Sequence, residues 1–458
     1  MPAPRLIVYA CAAVLAASIS YGLLRMPLQV HDSIEEIIAA QRSPSVWASF
    51  TSTIGETTYF RPLRIAETKL LFDVSSGHYF AAYKAFHVVL LVAAFALFLG
   101  ELSIQTWTDA AAALFALTVF TGLHTFLGFV REAFPVNHFL QVAVLVLIAV
   151  RLARARPRPA IDVAANVVFV AACLTLESGI LVWVAAVASR LEGRRGISGR
   201  GLIVMTALLA VYGAIRFAWL APNIQAMANA SGYFFERLEG PQIRERFGAG
   251  LSRFTVYNVL ASIASVLFSE PRGGVFVFFR AWSMDDIPPR MWINVVTSTL
   301  TTSFILVALI RTRNRELLVF LAVLLASAAA SFAYAKDEIM SVAGVFYAIA
   351  AFWAVRSVLM RAYRPPAAVM FALVLIVAAT GWSVRTIGVN HVMRAQAFAV
   401  HNDWAVIPET MEQRGTWPAD PATRSLVIDL RDQSLAKPIV NPWFMARWAD
   451  RVFEGDYF

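Results

Sequence analysis

Apolar runs of membrane length alternate with short arginine-bearing loops along most of this chain. The first runs from about Arg5 to Leu24, and further ones cover roughly Ala81–Leu99, Asp109–Val130 and Phe134–Val150. A spanning helix needs about 20 mainly apolar residues, because in hydrocarbon every backbone N–H and C=O must be satisfied within the segment. Each run therefore predicts a transmembrane helix. No clear small-x-small cleavage site precedes Arg25, so the first run reads as an uncleaved helix rather than a signal peptide. The polar stretch from Arg25 to Tyr79 is long enough for helices lying at the membrane interface.

Arginine placement orients the runs. "RLARARPRP", with Arg151, Arg154, Arg156 and Arg158, marks a cytoplasmic loop by the positive-inside rule. Counting back by alternation puts the N-terminus in the cytoplasm and the 25–79 loop outside. The next apolar stretch, Ile161–Ala188, is followed by a second basic loop, "SRLEGRRGISGR". Two cytoplasmic loops around one stretch demand an even number of crossings, yet its length is too short for two full spans. Two short helices with a turn near "LESG", residues 176–179, are expected, facing an internal cavity because irregular backbone at depth must avoid lipid. Gly201–Leu220 leads outward to a polar segment, Pro222–Arg253. Arg311, Arg313 and Arg315 place the end of Trp292–Ile310 inside, so residues 254–282 must enter and leave as a second short hairpin. Glu316–Tyr334 then goes out, Ile339–Val358 returns, and Pro366–Ser383 goes out again.

The expected fold is thus an all-α polytopic membrane protein of roughly 11 to 13 transmembrane helices. Residues 1–385 form the transmembrane domain, with 25–79 as its outer loop. Residues 386–458, polar and Trp-rich, form a small extracytoplasmic C-terminal tail domain.

Composition agrees: 59% of the 458 residues are hydrophobic and 15% charged, against about 45–50% and 25% in soluble domains. The net charge of +9 belongs to the loop arginines, a topology signal rather than a nucleic-acid signal. Cys11 and Cys173 lie in different apolar runs and read as small buried hydrophobes. The chain carries no P-loop, G-x-G-x-x-G, paired C-x-x-C or H-E-x-x-H, which argues against nucleotide-driven transport and zinc-peptidase chemistry. No repeat of the kind common in secondary transporters is visible between the halves.

Ionisable groups in or beside spans are costly and default to functional candidates. "VHDSIEE", residues 30–36, places His31, Asp32, Glu35 and Glu36 just after the first span, with "ETTYFRPLR" downstream. A carboxylate above the bilayer can deprotonate an acceptor hydroxyl, or it can merely cap an interfacial helix. Arg61 offers a planar donor fork for phosphate or carboxylate. Lys84 and His87 fall one turn apart on one helix face, His124 ends the next helix on the same side, and Arg131 and Glu132 occupy the turn after it. Lys84 as a snorkelling anchor is the competing reading. Glu177 has no local partner in the short hairpin, while Lys336, Asp337 and Glu338 share a tight turn in which Lys336 could hold a phosphate.

The order of these clusters resembles the membrane glycosyltransferases of the GT-C fold, in particular the protein O-mannosyltransferase-like, polyprenyl-phosphate-sugar-dependent bacterial branch. Those proteins show D or DD in the first outer loop, then Y-R-P-L, N-x-x-x-H, H-P-x-x-x-E and K-E-x-G. Asp32 falls at the catalytic acid, with His31 where a DD pair has its first acid. Arg61, Pro62 and Leu63 match R-P-L, and His87 matches the helix histidine, with Tyr83 in place of the Asn. His124 lacks the following proline, Glu132 stands further along than usual, and Glu177 is preceded by Leu176 instead of Lys. The "Y-x-K-D" turn at 334–337 matches more loosely.

The resemblance implies a GT-C-like bundle in the bacterial inner membrane, with a cytoplasmic N-terminus and a periplasmic C-terminus. It implies inverting transfer of a sugar from a polyprenyl-phosphate donor to an envelope glycan, lipid or protein acceptor on the periplasmic face. Asp32 is then the general base; Arg61, Lys84, Arg131 and Lys336 meet the donor phosphate; His31, His87, His124, Glu132, Glu177 and Asp337 line the pocket. No metal site is evident and no cofactor is implied, although Asp32 with Glu35 could hold a divalent cation through oxygen ligands. The alternatives are a transporter or flippase of lipid-linked sugars, an envelope polysaccharide polymerase or ligase, and a catalytically inactive GT-C scaffold.

Overall fold

The structure, a computed structural model, describes residues 3–52, 60–131, 134–219, 232–233, 236–237, 240–248, 251–268, 275–312, 316–335, 337–360 and 365–438. These residues are almost entirely helical. After α1 (Ala3–Arg25) come three helices packed together at one end of the bundle, α2 (His31–Arg42), α3 (Val46–Ser52) and α4 (Pro62–Val74). The bundle continues with α5 (Tyr79–Glu101), α6 (Trp107–Gly122), α7 (Leu127–Val130), α8 (His138–Arg154), α9 (Pro159–Thr175), α10 (Leu181–Glu192) and α11 (Gly199–Ala214). Its second half holds α12 (Gly240–Phe247), α13 (Leu251–Leu267), α14 (Val275–Ser283), α15 (Pro289–Thr312), α16 (Leu317–Ala330) and α17 (Ser341–Leu359). The long α18 (Pro365–Ala405), α19 (Ile407–Gln413) and α20 (Pro421–Leu435) close the described chain. Three two-residue strands form a small sheet, Gly232–Tyr233 pairing antiparallel with Glu236–Arg237 and parallel with Tyr334–Ala335.

Among the described residues five helices are long and apolar enough to cross a membrane: Ala3–Arg25, Tyr79–Glu101, Pro289–Arg311, Glu338–Leu359 and Val369–Ala405. A sixth results if α6 and the segment His124–Val130, bent by 65°, count as one broken span. The chain is therefore built as a membrane-embedded helical protein. Its main core lies where α5, α6, α8 and α17 meet, around Leu91, Phe98, Ala112, Ala113, Ala116, Leu147 and Phe352. Ala110, Ala112, Ala113 and Ala116 are buried along α6, and small residues let helix backbones approach closely where lipid offers no hydrophobic driving force.

Local sequence sets the helix ends. Thr106 and Asp109 form a reciprocal capping box at the start of α6, Asn137 caps α8, and Pro62 and Pro159 occupy first-turn positions of α4 and α9. Helices of 17 and 12 residues flank the turn at "LESG", which continues as a 3₁₀ turn, Glu177–Ile180. A Cβ on Gly179 would lie 2.2–2.4 Å from backbone atoms of Ala172 and Cys173, so only glycine permits so tight a return. In the expected second hairpin, α13 and α14 are the two limbs, and residues 269–274 between them lie outside the described residues.

The last long helix differs most from a simple span. The 41 residues of α18 measure about 60 Å at 1.5 Å per residue, twice the hydrocarbon thickness. No proline interrupts it, so the boundary expected at 385/386 falls inside a continuous helix. Its far end, with α19 and α20, packs onto the 25–79 loop through Leu28, Val30, Ile34, Ile37, Trp404, Val427 and Leu430.

At the opposite end, the arginine loops gather into one ionic lattice. Arg154 reaches Glu101 at 2.7 Å and Glu316 at 3.3 Å; Arg194 reaches Glu192 at 2.8 Å and Glu316 at 2.5 Å. Arg356 joins α17 to Asp109 of the α6 capping box at 2.6 Å.

Candidate functional site

The end formed by α2, α3 and α4 collects most of the chemistry. Asp32 sits in the first turn of α2 with its side chain exposed. One turn on, Glu36 turns inward, its carboxylate 11% exposed and bound by Arg64 of α4. Its second oxygen, Oε2, is buried without a hydrogen-bond partner. Burial raises the Glu36 pKa, against the lowering influence of Arg64 and then Arg61; Asp32 adds a smaller upward push. The Arg64 guanidinium also stacks 4.2 Å from the Phe134 ring centroid. Sequence reasoning named Glu36 within the "VHDSIEE" cluster without giving it a role of its own, and missed Arg64. The available signal was helical spacing, Glu36 lying four residues from Asp32 and Arg64 three from Arg61.

A second cluster adjoins the first. Arg61, the N-cap residue of α4, donates from Nε and Nη2 to Glu177 Oε2 at 3.1 and 2.8 Å. Arg216, beyond α11, approaches the other Glu177 oxygen at 4.0 Å. Leu176 is buried where the resembled motif has lysine. The cations facing Glu177 come instead from two other elements, which no local pattern announced. Tyr212 lies in the same cluster, its ring centroid 6.4 Å from that of Phe60. Phe60 itself is buried beside Arg61.

Other expected residues are placed less openly. Tyr83 donates from its hydroxyl to the Thr68 carbonyl at 2.9 Å, tying α5 to α4. His87 Nε2 lies 2.5 Å from the Phe129 carbonyl oxygen and 3.2 Å from Asn137 Nδ2, so its ring fastens α5 to the turn before α8. Lys84 is 5% exposed and lines a void of only about 10 Å³ together with Gln29, His87, Phe134 and Pro135. That space holds about one water molecule. His124 is buried in the bend between α6 and α7, beside the turn Asp337–Met340. Arg131 is half-exposed at the end of α7. Glu132 and Lys336, with the side chains of His31 and Asp337, lie outside the described residues. Among the described residues no three His, Cys, Asp or Glu side chains gather closely enough to hold a metal ion.

Glu67 is a further unanticipated group. On α4, it accepts a 2.7 Å hydrogen bond from Gln141 of α8, and its Oε2 is buried without a partner. Burial pushes its pKa up to about 7, the Gln141 bond opposing.

Two grooves flank this end. One of about 1040 Å³ opens between α2, α3, α4 and the tail, with an apolar floor from Ile34, Ile38, Ile65 and Ile407 and a rim carrying Glu35 and Arg42. The other, about 650 Å³, runs between α9 and α11 along Val163, Val167, Val170 and Leu208 to Leu63, two residues from Arg61. Compared with known proteins, the chain matches no family model, no curated protein and no solved structure.

Proposed function

We propose that this protein is an inverting glycosyltransferase that takes a sugar from a polyprenyl-phosphate donor at the membrane surface. The observation that carries the reading is the juxtaposition at one end of the bundle. An exposed carboxylate, Asp32, lies one helical turn from Glu36, where Arg64 binds, while Arg61 and Arg216 meet Glu177 in the adjoining cluster. Asp32 takes the proton of an acceptor hydroxyl, the freed oxygen attacks the anomeric carbon, and the bond from that carbon to the phosphate oxygen breaks. Charge developing on the leaving phosphate is met by guanidinium groups already oriented by their carboxylates. Arg61 is the foremost of these, and Arg131 and Lys336 are assigned to the same phosphate by resemblance, whereas Lys84, buried against a space for about one water, is left to the packing of α5.

The grooves support the division of substrates. A long apolar groove ending near Arg61 suits a lipid chain, and the polar-rimmed groove beside Glu35 suits an acceptor arriving from water. The proposed side is the periplasmic face of a bacterial inner membrane. The test supplies the protein in lipid nanodiscs with radiolabelled polyprenyl-phosphate sugar and envelope extract. Label should move into glycan, lipid or protein, and Asp32→Asn should abolish the transfer. Transfer by Asp32→Asn at the unaltered rate would remove Asp32 as the base; no transfer from any such donor would remove the reading.

A further inference from the structure

The irregular segment between α1 and α2, residues 26–30, delivers the chain to Asp32 with no helix of its own. Its residues Met26, Leu28 and Val30 are buried, so its backbone carbonyls need partners from elsewhere. One partner comes from the far end of the chain. Trp404, fully buried near the end of α18, donates its indole N–H to the Leu28 carbonyl at 2.7 Å. The same tail grips α2 along its length: Ile34 and Ile37 pack on Val400, Leu426 and Leu430, Thr423 donates to Gln41, and Arg42 pairs with Asp420.

The tail also holds the start of α5, the helix of Lys84 and His87. Gln433 accepts from the Phe80 backbone N–H at 3.2 Å and donates to the Gly77 carbonyl at 2.7 Å. Lys437 lies 4.3 Å above the Phe80 ring. Gly77 has φ +92°, a backbone turn that the Gln433 bond pins in place. One C-terminal unit thus fixes both ends of the outer loop, the acid-bearing end through Trp404 and the Lys84-bearing end through Gln433.

We propose that the tail of residues 400–437 is a positioning clamp, and that Trp404 is the positioning residue that sets Asp32 against the arginines of α4. This rests on the glycosyl-transfer reading for its catalytic consequence but not for its structural one. Trp404 touches no substrate; it acts through the Leu28 carbonyl and the apolar face of α2. Removing the indole donor leaves a buried carbonyl unsatisfied while the aromatic bulk remains.

The experiment measures amide hydrogen exchange on the full chain in nanodiscs, alongside sugar transfer, for Trp404→Phe and Gln433→Leu. Trp404→Phe should speed exchange over residues 26–36 by roughly tenfold and lower kcat with donor KM unchanged, leaving α8–α10 as before. Gln433→Leu should speed exchange over residues 75–84 instead. If neither variant alters exchange in its own segment, the clamp is overturned whatever the transfer assay shows. Faster exchange with unaltered kcat would make the tail a prop of the fold and overturn its positioning role. Absence of transfer in the unaltered protein strikes the glycosyltransferase reading alone, because the exchange pattern still tests the clamp.

Discussion

Both ends of the bundle bury arginines against carboxylates, yet the two are built to different ends. At the arginine-loop end, Arg154 and Arg194 each bridge two acids and Glu316 is shared by both, so the lattice ties the termini of α5, α8, α10 and α16 into one knot. At the α2–α4 end, arginines from separate elements converge on Glu36 and Glu177, one Glu36 oxygen stays without a hydrogen bond, and Asp32 stands exposed beside them. Each end also has a cavity, the first a pocket of about 390 Å³ lined by Arg154, Glu192, Arg194 and Glu316. What sets the second end apart is the exposed Asp32 and the larger volume around it, a groove of about 1040 Å³ and one of about 650 Å³ that reaches Leu63.

Substitutions can break or sharpen that contrast. The largest effect is expected from Asp32→Asn, which should cut sugar transfer by at least about a hundredfold while leaving the melting temperature in detergent unchanged, since the side chain is exposed. A melting temperature that falls with the activity would assign Asp32 to the fold. Glu101→Gln should do the reverse. Its carboxylate is 1% exposed, and losing a buried charged hydrogen bond, with Arg154 still held by Glu316, costs about 1.5–3 kcal/mol, seen as a lowered midpoint in thermal unfolding. Glu177→Gln falls between them: at 32% exposure solvent screening cuts the loss to about 1 kcal/mol, but donor affinity should change because Arg61 and Arg216 lose their shared anchor. Equal destabilisation by Glu101→Gln and Glu177→Gln would erase the distinction between the two ends.

Glu67 gives a pH test. Its folded pKa of about 7 lies above the value of about 4.3 expected in the unfolded chain. The folded protein therefore binds the extra proton between these values, and its stability declines as pH rises through that window. Glu67→Gln should flatten the decline, seen as a smaller difference in melting temperature between pH 5 and pH 8. An unchanged difference would show that the α4–α8 contact does not titrate. The smallest effect is expected from Tyr83→Phe, which loses one hydroxyl bond to Thr68 and about 1 kcal/mol, measured in the same melts.

Much of the helical order was legible in the sequence, because span length is local. The turn at Glu177–Ile180 could be placed from charge parity and length alone, while the caps at Thr106 and Asn137 and the proline start of α4 came only with the structure. The candidate site was legible only in part. Asp32 and Arg61 stood out by residue type and order. The pairing of Glu36 with Arg64 needed α2 and α4 laid side by side, and the meeting of Arg61 with Glu177 joins residues 116 positions apart. His87 looked like pocket chemistry, yet its ring is engaged by the Phe129 carbonyl and Asn137. A polar residue on an apolar face looks the same in sequence whether it meets a substrate or a backbone carbonyl.

What the amino-acid order determined by itself is a helical, membrane-embedded chain with its acids and arginines distributed among particular loops and helix ends. The reason is that hydrophobic length, helix caps and glycine turns act within a few residues of where they are written. Only the tertiary structure decided which acid meets which arginine, that Lys84 is buried, and that the C-terminal helices grip the first outer loop. Those outcomes depend on surfaces hundreds of residues apart burying apolar area together, and on buried carbonyls and carboxylates finding whatever donors that packing brings within reach.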